Sequence, residues 1–222
     1  MQQLFENRRD AGQQLARRLA GMALLRPVVL ALPRGGVPVA AEVARVLRAP
    51  LDLVLVRKIG APGQPELAIA ALADGPEPAL AIDEETLQAC GATRDELLAQ
   101  LPAQRREIER RRRLYLRGAA PLDLRGRTAV LVDDGIATGT TVRAALQALR
   151  ARQPARIVLA VPVAPAAALP PLRALVDELV CLRVPEVFRA VGCHYADFGQ
   201  TGDDEVVALM AGLHPGGPTC GA

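Results

Sequence analysis

Aromatic side chains are almost missing from this chain. Phe, Tyr and Trp together make up 2% of its 222 residues, and Trp is absent altogether. Any core must therefore be filled by Val, Leu, Ile and Ala, which suits a parallel sheet covered by helices. Metal-binding side chains are equally thin. There are two histidines, and Cys90, Cys181, Cys193 and Cys220 form no CxxC pair, so no zinc set is on offer and the thiols read as buried or incidental. Long hydrophobic runs are missing too. The longest apolar stretch, IVLAVPVAPAAALPPL from Ile157 to Leu172, is shorter than a bilayer span and carries four prolines. The N-terminus, MQQLFENRRDAGQQLARRL, has charged residues where a secretory signal needs an apolar segment, and reads as an amphipathic helix. A cytoplasmic protein with no membrane partner is expected. The net charge of +3 gives no general case for nucleic acid. Lysine is the last scarcity: of 27 basic residues only Lys58 is not an arginine.

What is present is a chain that is 50% hydrophobic and long enough to bury a substantial core, expected as one domain over residues 1–222. Short apolar runs alternate with helical patterns: VVLAL (28–32), LDLVLV (51–56), LAIAAL (67–72), TAVLV (128–132), RIVLAVPV (156–163) and ELVCLRV (178–184). Helices fit over Val37 to Arg48 and Thr140 to Arg152, the second with Val142, Ala145, Leu146 and Leu149 at helical spacing. The expectation is an α/β fold, a doubly wound and mainly parallel sheet. Residues 83–118 form a helical insertion, with Thr93 and Glu96 as a capping box and Pro102 as a kink or break. Its four consecutive arginines, Arg110 to Arg113, read as a solvated face with Glu107 and Glu109 as partners, so no nucleic-acid partner is expected. Residues 184–213 form a small hood, with Thr201 to Asp204 capping the last helix, and the tail 214–222 is expected to be disordered.

The most informative stretch is VLVDDGIATGTT, Val130 to Thr141. A buried strand that ends in two acids sets them at the carboxyl edge of the sheet, where open α/β proteins bind ligands. Asp133 and Asp134 are both expected to face that crevice and to accept from hydroxyl donors or approach a metal. The loop Gly135 to Gly139 then starts a helix at Thr140 or Thr141, so free amides and threonine hydroxyls converge on one point, an anion site suited to a phosphate monoester. Together these features fit a sugar phosphate. A Walker loop would need GK[ST], and a dinucleotide fingerprint would need GxGxxG; neither is present.

Asp133-Asp134-Gly-Ile-Ala-Thr-Gly-Thr-Thr resembles the motif with which type I phosphoribosyltransferases bind 5-phosphoribosyl 1-pyrophosphate. The resemblance runs from Val28 to about Leu213, and ALPRGGVPVA and VRKIGAPGQPE are similar to segments of bacterial members. It implies that Asp133 and Asp134 hold the ribose hydroxyls. Gly135 and the backbone and hydroxyls of Ala137, Thr138, Gly139, Thr140 and Thr141 would hold the 5-phosphate. Arg34, Gly35 and Gly36, ending the first strand, would meet the pyrophosphate, with a non-proline cis peptide at Arg34-Gly35 or one bond earlier. Arg57 and Lys58 would end the second strand beside that site, and GAPGQPE would close over it as a lid. Arg34, Lys58, Asp133 and Asp134 are the candidate catalytic residues.

The reaction implied is displacement of pyrophosphate from ribose C1 by a nitrogen acceptor, a nucleobase by preference. Mg2+ would be held mainly by the substrate, with no direct protein ligand and Asp133 approaching it through water. Relatives acting on 6-oxopurines carry an aspartate where this chain has Ala137, which argues against that activity. Phe188 in the hood is the first choice to stack on a planar acceptor, with a hydrophobic plug as the other reading. Asp197 could meet magnesium or an acceptor amine. A homodimer is expected from relatives. The alternatives are a regulatory protein that only senses the phosphoribosyl donor, and one that also binds RNA through Arg110 to Arg113.

Overall fold

The computed structural model describes residues 4–74 and 79–215. The chain runs α1 (Arg8–Ala20), β1 (Val28–Ala31), α2 (Gly36–Leu47), β2 (Leu51–Leu53), β3 (Val56–Ala61), β4 (Gln64–Ala73), β5 (Ala79–Ile82), α3 (Glu84–Ala89), α4 (Arg94–Leu116), β6 (Thr128–Val132), α5 (Thr140–Ala151), β7 (Arg156–Val163), α6 (Leu169–Arg173), β8 (Glu178–Arg183) and α7 (Asp203–Ala211). Five strands form a parallel sheet in the order β2-β1-β6-β7-β8. Alternate side chains of its strands point to opposite faces. Val29, Ala31, Val130, Val132, Val158 and Ala160 enter the core that holds α1, α2 and α7. Val28, Leu30, Ala129, Leu131, Ile157 and Leu159 enter the core under α5 and α6. The two-sided burial explains the nearly unbroken aliphatic runs and the small need for aromatics.

The strand order reverses between β1 and β6. From β1 the chain leaves through α2 to β2 on one side, and from β6 it leaves through α5 to β7 on the other. A crevice opens at such a reversal, outside the carboxyl ends of the strands. The register pairs Ala31 with Val132, so the loops that begin at Leu32 and Asp133 start side by side.

Four expectations are corrected here. The run 51–56 is not one strand: β2 ends at Leu53 and β3 begins at Val56, in a separate antiparallel sheet of order β3-β4-β5. The break is fixed by two buried hydrogen bonds, the backbone bond from Val54 N to Ala31 O at 3.0 Å and the donation from Leu55 N to the Asp74 carboxylate Oδ1 at 2.9 Å. α4 does not end at Pro102: its first turn is closed by the Thr93–Glu96 capping box, and Leu97 and Ile108 anchor it in the core on either side of the exposed proline. The N-cap of α7 is Gly202, without a side-chain cap. The start of the expected tail is ordered, since His214 is buried with its Nε2 3.8 Å from Asp52 Oδ1, while 216–222, Cys220 included, lie outside the described residues.

The arginine-rich turn of α4 is only partly a solvated face. Arg110 and Arg111 both bond Glu107, whose carboxyl is held down at about 2 by those bonds. Arg112 turns inward, donating to Asp74 Oδ2 at 2.6 Å in a mostly buried pair. A buried carboxylate needs such a partner, and a helix that packs on one side must turn one of four consecutive side chains inward.

Candidate functional site

The loop after β1 turns sharply into α2, and its peptide bond Pro33-Arg34 is cis, one bond before Arg34-Gly35. Gly35 and Gly36 lie against the two acids. A Cβ on Gly35 would sit 2.8 Å from the Asp134 carboxyl carbon and 3.3 Å from Arg8 Nε, and one on Gly36 would sit 3.0 Å from the Asp133 Cα. Such distances are tighter than ordinary Cβ contacts, so the approach of the two loops requires glycine. The loop after β6 is tied to the sheet by Ile136 N to Val163 O at 2.9 Å, and Gly139, with φ 79°, sets the start of α5. No side chain caps that helix, so its first amides are left toward the cavity, with the positive end of the helix dipole behind them.

That cavity, about 150 Å3, is lined by Lys58, Asp133, the loop from Gly135 to Thr141, Val142 and Val191. Thr138 and Thr140 face each other there, Oγ1 to Oγ1 at 3.3 Å. Burial, and next the neighbouring Asp134, raise the Asp133 carboxyl well above its usual range, and the amide of Asp134, donating to its Oδ1 at 2.9 Å, works against the rise. Lys58 lowers it through charge, a pull that a cation at this cavity supplies.

The two acids do not face the same way. Asp133 lines the cavity, but Asp134 turns to the first helix, where Arg8 Nε donates to its Oδ2 at 2.7 Å in a pair whose side chains are 12% and 14% exposed. Burial raises the Asp134 carboxyl, and the Arg8 bond and charge oppose it. The Tyr195 hydroxyl donates to the Asp134 carbonyl at 2.5 Å. Arg8 and Tyr195 are the residues that sequence reasoning missed. Arg8 lies 126 positions from its partner, and no local pattern marks such a pair.

The other expected site residues divide. Arg57 and Lys58 lie inside β3, not at a strand end, and the alternation of the strand sends them to opposite faces: Lys58 to the cavity, Arg57 to α4, where its Nε donates to Gln104 at 3.1 Å. The segment after them is the β3–β4 hairpin, turning at Pro62 and Gly63. Arg34 points to α7, with Nη1 3.5 Å from Asp203 Oδ1, and Asp203 in turn accepts from the Tyr115 hydroxyl at 2.6 Å. Phe188, half-buried, packs against the cluster of Phe5 and Tyr195 and stacks on His194 with ring centroids 5.4 Å apart, while Val191 of the hood lines the cavity. Asp197 accepts from Gly199 N at 3.0 Å and lines a separate cavity of about 280 Å3 with Arg8 and Arg9.

The phosphoribosyl transferase domain model matches residues 4–197. The chain belongs to that family. A Mycobacterium tuberculosis protein, known from two strains and named provisionally as a phosphoribosyl transferase, is 46% identical over 211 residues, covering 95% of this chain. The match takes in 47% of that protein, so the chain spans about half the length of the curated relatives it matches. A crystal structure of a Thermus thermophilus protein superposes with TM-score 0.81 at 44% identity, covering 95% of this chain and 99% of the other. The fold and the family are thereby fixed. Among the described residues, no helix is long and apolar enough to cross a membrane, and no group of three or more His, Cys, Asp or Glu is arranged to hold a metal ion.

Proposed function

We propose that the chain transfers the phosphoribosyl group of 5-phosphoribosyl 1-pyrophosphate to a nitrogen acceptor. The bond from ribose C1 to the pyrophosphate oxygen breaks, a bond from C1 to nitrogen forms, and pyrophosphate leaves. The observation that carries the reading is the cavity in which Asp133, Lys58 and the unpaired start of α5 converge beside the glycines of the first loop. In this reading the amides of Ala137 to Thr141 take the 5-phosphate, and Asp133 with Asp134 accept from the ribose hydroxyls. Lys58 is a compact point charge for the leaving oxygens, with the backbone of Gly35 and Gly36 beside the acids, while Arg57 and Arg34 are engaged by Gln104 and Asp203. The β3–β4 hairpin, which carries Lys58, is the element whose closure would exclude water.

The donor set fits magnesium held by the substrate: Asp134 is already engaged by Arg8, leaving Asp133 as the carboxylate on the cavity. When bound, the ion would neutralise charge on the pyrophosphate. Ala137 offers no proton-transferring carboxylate, so the acceptor is read as an amine or base other than a 6-oxopurine. The test is incubation with the phosphoribosyl donor, magnesium and a panel of bases and amines, following pyrophosphate release. Acceptor-dependent release supports the transferase. Tight donor binding without release under any acceptor would favour the sensing alternative instead.

A further inference from the structure

We infer that Arg8 is the positioning residue of the acid pair, a role that rests on the reading of Asp134 as a ribose ligand. One guanidinium makes three attachments. Its Nε donates to Asp134 Oδ2 at 2.7 Å, its Nη1 donates to the Gly199 carbonyl at 2.6 Å, and its carbon lies 3.8 Å from the centre of the Phe198 ring. The side chain rises from the first turn of α1, where Asn7 caps the helix by accepting from Asp10 N. A short helix therefore holds a cation at the carboxyl edge of the sheet, between the acid loop and the hood.

The geometry makes this more than a surface ion pair. Both side chains are nearly buried, so the single Nε–Oδ2 bond is directional and poorly screened, and the bond from Nη1 to Gly199 fixes the direction from which it comes. With Oδ2 held by Arg8, the proposed reading leaves Oδ1 to accept from a sugar hydroxyl. The main chain of Asp134 is pinned as well, by Tyr195 from the hood, so carboxylate and carbonyl are both held. Above the pair lies Gly35, whose α carbon has no room for a methyl group against Asp134 or Arg8. Arg8 thus acts through Asp134 and ties its orientation to the seating of residues 198 and 199. Nothing in the resemblance of the acid motif requires this residue, since the motif is local and the partner lies 126 positions before it.

A double-mutant cycle tests it. The full chain is titrated calorimetrically with 5-phosphoribosyl 1-pyrophosphate and magnesium, as wild type, Arg8→Gln, Arg8→Lys, Asp134→Ala, Asp134→Asn and the corresponding doubles, with thermal unfolding recorded for each. Arg8→Gln should weaken binding by about tenfold or more, the ordinary worth of a hydrogen bond between charged groups. Arg8→Lys should recover part of that. In an Asp134→Ala background, measured beside Asp134→Asn, the Arg8 substitutions should change affinity by less than about twofold, because the acceptor they act through is gone. If Arg8→Gln proves unfolded, Arg8→Lys gives the same comparison. Equal losses in both backgrounds would mean a packing role and overturn the inference, as would unchanged affinity in Arg8→Gln. A wild-type chain that does not bind the donor would instead overturn the proposed function, and this inference with it.

Discussion

Replacing Gly35 by alanine adds one methyl group at the point where the loop after β1 crosses the acid pair. An ideal Cβ there lies 2.8 Å from the Asp134 carboxyl carbon and 3.3 Å from Arg8 Nε. The first contact is held by the Arg8 bond and the Tyr195 bond, so neither neighbour swings away freely. Ordinary contact requires the carboxylate or the loop to move by about 1 Å, and a displacement of that size at a reacting centre costs roughly a hundredfold. Gly35→Ala should therefore lose about two orders of magnitude in pyrophosphate release and a comparable part of that in donor affinity. Its backbone is right-handed helical, so alanine adds no backbone strain of its own, and any fall in the thermal midpoint reports the collision with the acid pair. Gly212→Ala is the matched control, since a Cβ there meets nothing within 4 Å. Turnover and affinity in Gly35→Ala within twofold of wild type would refute the reasoning.

Lys58→Ala removes an exposed cation at the cavity, and should lower turnover about a hundredfold with no change in unfolding temperature, as read by pyrophosphate release beside calorimetry. Arg112→Met leaves Asp74 buried without its cation. It should cost about 3 kcal/mol and lower the midpoint by roughly 10 °C, and a drop below two degrees would contradict the buried pair. Binding to the acid pair should depend on pH with a definite sign. Burial raises both carboxyls, so they take up protons on acidification before an ordinary carboxylate would, and donor affinity should begin to fall at a pH clearly above 3.8. A titration flat down to that value would contradict the placement. Because Arg110 and Arg111 are bound to Glu107 and Arg112 to Asp74, the chain should show no steep salt-dependent RNA affinity in a filter-binding assay at low salt.

The parallel sheet was legible because its strands are buried on both faces and so appear as plain aliphatic runs between helical segments, as in 128–132 and 156–163. The same simplicity hid the break at Val54 and Leu55. An apolar run carries no sign of a change of sheet, and the bond that fixes it comes from Asp74, nineteen residues on. β5 was missed because ALAI is four residues long and rich in alanine, a poor strand signal.

At the site, the local motifs were readable: two acids after a strand, and a glycine-threonine loop before a helix. Directions of side chains were not. Arg57 and Lys58 are adjacent in sequence but point to different surroundings, because a strand sends neighbours to opposite faces and the two were read as a strand end. Asp134 was expected in the crevice with Asp133, and its turn toward Arg8 depends on a contact 126 positions away in the chain. Phe188 was the natural stacking candidate by position, yet with so few aromatics in the chain it joins the cluster that seats the hood.

The most direct test is a crystal structure of the chain soaked with 5-phosphoribosyl 1-pyrophosphate and magnesium. The account predicts ribose hydroxyls within hydrogen-bond distance of Asp133 and Asp134, the 5-phosphate on the amides of Ala137 to Thr141, and Lys58 on the pyrophosphate. Ligand bound elsewhere with that cavity unfilled, or no ligand bound at all in a saturating soak, would contradict it.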